Sequence, residues 1–136
     1  MYSIALNLKS KTTIICRREN AIFEIIEALN KYKVKEIFAY NASFDRMHLH
    51  ELNEYQWFDI MRVAAYKQYN AAIPDTAECF QTGKLKRGFG VESMIRLLTG
   101  DCKYYETHNA LIDALDELKI IQLLGLPLDT YIPMKN

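Results

Sequence analysis

The hydrophobic pattern changes period along the chain, and each change marks an element. Residues 2–8 (YSIALNL) alternate and then run apolar, which predicts a strand. Lys9-Ser10-Lys11 is a polar break. The β-branched run Thr12-Thr13-Ile14-Ile15-Cys16 predicts a second strand, joined to the first as a hairpin. Ile22, Ile25, Ile26 and Leu29 then follow helical spacing on one face, giving a helix over about residues 19–32. Glu36-Ile37-Phe38-Ala39-Tyr40 is a third strand. Asn41-Ala42-Ser43 ends it and starts a helix running to about Leu52, with Asn or Ser as its cap. Gln56-Trp57-Phe58 is a short fourth strand. Asp59 opens a further helix through Met61, Ala64, Ala65 and Gln68. Pro74, Gly83, Gly88 and Gly90 make residues 70–90 an irregular or hairpin insertion. Val91, Met94, Ile95 and Leu98 form a short amphipathic helix ended by Gly100. Leu111, Ala114, Leu115 and Leu118 mark a last long helix that stops at Gly125, before Pro127. Residues 126–136 read as a loosely held tail.

The order is ββαβα, a short strand, then three helices, which predicts a single mixed α/β domain. The 136 residues suffice for one core. No run approaches the ~20 apolar residues of a membrane span, and no basic leader with a long apolar run opens the chain. Cys16, Cys79 and Cys102 form no CxxC pair, which favours a reduced, intracellular setting and a cytoplasmic protein. Seventeen basic residues balance seventeen acidic ones, arguing against nucleic-acid binding through bulk charge. A local basic patch remains at Lys84-Leu85-Lys86-Arg87. Lys84, Lys86 and Arg87 could meet phosphates; a solvated charged loop is the alternative. The nine tyrosines are core and surface residues, or in part stacking surfaces for bases.

Asp45, in Asn41-Ala42-Ser43-Phe44-Asp45, follows a strand at a helix start, where open α/β sheets build sites. An Asp there can hold a metal; the plainer reading is a capping or surface Asp. In His108-Asn109-Ala110-Leu111-Ile112-Asp113, five helical residues turn about 500°, so His108 and Asp113 would not share one helix face. A helix starting near Asn109 leaves His108 just ahead of it, free to swing over a site. His108 could then serve as general base and Asp113 as metal ligand. A solvated His and a surface Asp are the alternative. Asp59 reads as a structural helix cap. His48 and His50, two apart on a helix, point in different directions and are weak metal candidates beside Glu51.

Together these segments resemble the DEDDh exonuclease family, which includes proofreading subunits of DNA polymerases and ribonuclease T. The NxxFD motif is Asn41-Ala42-Ser43-Phe44-Asp45. The HNALxDA motif is His108-Asn109-Ala110-Leu111-Ile112-Asp113-Ala114. Trp57-Phe58-Asp59-Ile60 looks like the strand and Asp-Thr step of relatives, and Gly90-Val91-Glu92-Ser93-Met94 like their following helix. The resemblance covers residues 19–124. It implies a ribonuclease H-like mixed sheet flanked by helices and two ions, Mg²⁺ or Mn²⁺. Asp113 would bind one, Asp45 would help hold the second through water, and His108 would activate the attacking water. Asn41, Phe44, Lys84, Lys86 and Arg87 would contact the 3′ end of DNA or RNA.

The first motif of such a site, Asp-x-Glu on the first strand, has no counterpart before Asp45. Either Asn7 and Lys9 replace it, or the chain begins after that central strand. In the family the first three strands run up, down and up, and the fourth is parallel to the first. Only if residues 2–8 and 12–16 are the second and third strands do the directions agree. The 38-residue separation of Asn7 from Asp45 is also short for the family. The expectation is therefore an exonuclease-like domain lacking its usual first strand, with weak metal binding and little or no activity alone. A non-catalytic nucleic-acid- or protein-binding module on the same scaffold is the alternative, and a misplaced start codon or shortened chain a third. The absent strand would leave backbone groups unpaired, so self-association as a homo-oligomer is a further expectation.

Overall fold

A computed structural model describes residues 15–135. The expected strands 2–8 and 12–16 lie outside the described residues, apart from Ile15 and Cys16, which carry no strand pairing there.

From Arg18 onward the order of elements follows the periodicity. Helix α1 (Arg18–Lys31) lays Ile25, Ile26 and Leu29 against Ala39, Ala42, Leu52 and Trp57. Strand β1 (Glu36–Ala39) and strand β2 (Gln56–Asp59) pair in parallel, with Ile37 opposite Trp57 and Ala39 opposite Asp59. Parallel neighbours need a crossover. It is supplied by helix α2 (Ala42–His48) and a 3₁₀ turn, His50–Leu52. Trp57, Phe58 and Asp59 are all buried, as expected of a strand covered on both faces. The result is a mixed α/β fold whose described sheet has two parallel strands flanked by helices.

Four expectations are corrected. The helix expected to reach Leu52 stops at His48, because Arg18 Nη2 takes the His48 carbonyl at 2.9 Å and Leu49 leaves the helical region. The cap of that helix is Asn41, as expected, but it does not cap through its side chain. Asn41 sits in the left-handed region, φ 62°, which Asn tolerates better than most residues, and makes no side-chain cap bond. The helix expected from Asp59 to Gln68 is the single turn α3 (Met61–Ala64). Its next carbonyls are claimed from outside: Asn70 Nδ2 donates to Ala64 O at 2.7 Å, and the Leu85 amide to Ala65 O at 2.9 Å. Finally, the tail is not loose. Leu128–Met134 forms 3₁₀ turns, and Tyr131 and Met134 are buried against Phe58 and Val63.

Residues 70–90 form the expected hairpin-like insertion, with bridges pairing Tyr66 with Lys84 and Cys79 with Leu85. Ile73 and Leu85 anchor it in a core with Tyr40, Ile60, Met94, Ile95 and Ile120. Helix α4 (Val91–Thr99) ends on Gly100 at φ 73°, and helix α5 (Ala110–Leu124) on Gly125 at φ 62°. Among the described residues no helix is long and apolar enough to cross a membrane.

Candidate functional site

Because β1 and β2 are parallel, their C-terminal ends open on the same edge, where open α/β sheets place ligands. Two successive backbone amides at that edge each receive a carboxylate. The Tyr40 amide donates to Glu117 Oε2 at 3.1 Å, and the Asn41 amide to Asp59 Oδ1 at 3.0 Å. Asp59 Oδ1 also accepts from the Met61 amide at 2.9 Å. Asp59 is only 3 % exposed. It joins the two strand ends to α3, whose N-cap is Ile60 and not the expected Asp59.

Two more carboxylates act on this edge. Asp45 stands in the first turn of α2. Burial raises its carboxyl above the ordinary range and Asp59 adds to this, while a hydrogen bond to its own backbone and nearby His48 oppose it. Asp113 stands in the first turn of α5, and its Oδ1 is buried without a hydrogen-bond partner among the described residues. Glu117 lies four residues further on the same helix face. Burial pushes its carboxyl up to about 7, the Tyr40 amide opposes this, and the charges of Asp45, Asp113 and Asp59 add to it. Glu117 is thus the residue that sequence reasoning missed. Its spacing of four from Asp113 was the available signal.

His108 immediately precedes α5, as expected. Asn109 caps that helix, its Oδ1 accepting from the amides of Leu111 at 3.1 Å and Ile112 at 3.3 Å. His108 is exposed, has φ 53°, and makes no hydrogen bond or ion pair among the described residues. It lies five residues before Asp113 in the chain, with no hydrogen bond to it among the described residues.

The other candidates scatter. Phe44 is 57 % exposed, and its ring lies 4.4 Å from that of His48, whose Nδ1 is 2.8 Å from the Phe44 carbonyl. His50 lies 3.7 Å from Glu51 instead, so the two histidines serve different neighbours. Lys84 sits 4.8 Å over the Phe89 ring, and Arg87 pairs with Glu78 at 2.8 Å. Lys86 is exposed. The Tyr40 hydroxyl donates to the Phe89 carbonyl, which ties the end of the basic insertion to the carboxylate edge.

A divalent ion needs converging donors. Among the described residues no three of His, Cys, Asp or Glu stand close enough to hold one. Asp59 is committed to two amides. What a cation would answer is the unpartnered Asp113 Oδ1 and the mutual repulsion around Glu117. Compared with known proteins, the chain matches no protein-family model, no curated protein and no solved structure.

Proposed function

We propose that this chain is a nucleic-acid-acting domain of the DEDDh 3′→5′ exonuclease type, built on part of a ribonuclease H-like sheet and incomplete at its first acidic motif. The observation that supports the reading is that Asp45 and Asp113, the two carboxylates of the NxxFD and HNALxDA motifs, both act on Glu117, which accepts the Tyr40 amide at the end of β1. Asp113 and Asp45 would hold Mg²⁺ or Mn²⁺. A bound ion would polarise the scissile phosphate and stabilise the leaving oxygen. His108, exposed and ahead of α5, would take the proton from the attacking water. Phe44 offers a ring for a terminal base, and Lys84 and Lys86 offer charge for phosphates.

No Asp-x-Glu precedes Asp45. Weak metal affinity and little hydrolysis by the isolated chain follow. The second reading, a binding module without catalysis, is supported by His108 making no hydrogen bond or ion pair among the described residues.

A 3′-labelled single-stranded DNA and RNA, incubated with Mg²⁺ or Mn²⁺, tests both. Slow, metal-dependent release of 3′ nucleotides that disappears in Asp113→Ala supports the exonuclease. Oligonucleotide binding with no release, unchanged in His108→Ala, supports the binding module. Robust Mg²⁺-dependent degradation contradicts an incomplete site, and no binding at all removes both readings.

A further inference from the structure

Asp116 is a buried carboxylate, 7 % exposed, that the site above does not use. A charge is rarely buried without a partner. Its partner is the Tyr104 hydroxyl, which donates to Asp116 Oδ2. Tyr104 belongs to the 100–109 loop between α4 and α5. That loop is held at two further points. Arg96 Nε donates to the Tyr104 carbonyl at 2.8 Å, and the Glu106 amide donates to Glu92 Oε2 at 3.0 Å. The Lys119 ammonium also lies 5.7 Å over the Tyr104 ring.

Beyond Glu106 the next fixed residue is Asn109, capping α5. Only Thr107 and His108 lie between these anchors. His108 has φ 53°, a conformation that non-glycine residues hold only when their surroundings impose it. The anchors on either side impose it here.

Resting on the reading of His108 as the base, we infer that Tyr104 and Asp116 are positioning residues for His108. Their hydrogen bond ties the His108 loop to α5, the helix that carries Asp113. Asp113 and Asp116 are three residues apart on that helix, so one rigid element receives the loop and presents the metal-binding carboxylate. The bond therefore sets where the imidazole stands relative to Asp113.

The full chain carrying Tyr104→Phe tests this by NMR. The observables are the His108 ring Hε1–Cε1 resonance and the amide exchange of residues 105–108. In the folded variant the amides should exchange on the order of tenfold faster and the ring resonance should shift. Asp116→Asn, whose amide oxygen still accepts from the hydroxyl, should keep both near wild type. On the labelled oligonucleotide, Tyr104→Phe should lose as much cleavage as His108→Ala, with no further loss in the double variant; a plain loop pin would give additive losses. An unmoved His108 resonance in folded Tyr104→Phe overturns the inference. So do additive losses. If the resonance moves while His108→Ala leaves cleavage unchanged or wild type shows none, the positioning stands and the exonuclease reading falls. Should Tyr104→Phe fail to fold, Glu92→Ala removes the Glu106 anchor from the surface and reads the same loop.

Discussion

Glu117 accepts one backbone amide while three other carboxylates act on it, and the balance is set by burial. Its carboxyl is held near 7 instead of its ordinary 4.5. The folded chain therefore binds more protons than the unfolded chain between those values, and stability falls as pH rises through that window. Above 7 the full penalty is present. Glu117→Gln keeps an acceptor for the Tyr40 amide and removes the charge. It should stabilise the protein by roughly 2 kcal/mol at pH 8 and by nothing at pH 4. Thermal melts of both proteins across this range check it, and an equal gain at both pH values would refute a charge origin. At this scale the sequence was half legible. Asp45, Asp113 and His108 stand out because they sit inside recognisable strings. Glu117 does not, since only the folding of α5 onto the end of β1 gives it an amide and like-charged neighbours.

Among the elements, those with local causes were readable. Helix α5 starts because Asn109 satisfies two of its free amides, and α4 stops because Gly100 adopts a left-handed conformation. Asn109→Ala should cost about 1 kcal/mol in denaturant unfolding. It should also loosen the residue next to His108, so amide exchange at residues 107–112 should rise with the loss of stability. Helix α3 was misjudged because its end is set from afar. Asn70 and Leu85 take the Ala64 and Ala65 carbonyls that a continuing helix would need. Helical spacing through Gln68 carries no trace of that competition. The same holds at α2, where Arg18, thirty residues upstream, takes a terminal carbonyl.

For the molecule as a whole, the misread segment is the C-terminal one. Residues 126–136 read as a loose tail beyond Pro127, but Tyr131 is fully buried and meets the Phe38 ring edge-on at 5.6 Å. Tyr131→Ala should cost about 3–5 kcal/mol, as large aromatic deletions in cores do. Its hydroxyl is buried without a partner among the described residues, so Tyr131→Phe should be neutral or slightly stabilising. Urea titrations decide between this and a hydroxyl held by an internal hydrogen bond, which would make the Phe variant weaker. The mixed α/β class itself was legible, because it needs only the sequence of periods.

The burial of Tyr131 and Met134 against Phe58 and Val63 also fixes an order of events during synthesis. Strand β2 and α3 leave the ribosome some seventy residues before the side chains that cover them. Until those arrive, Phe58 has an open face, and the strand ends that bind Asp59 and Glu117 lack their final support. Assembly of the carboxylate edge thus waits on Leu128–Met134. A nascent chain arrested ahead of Tyr131 should remain open to proteases around β2, whatever its completed helices have already done.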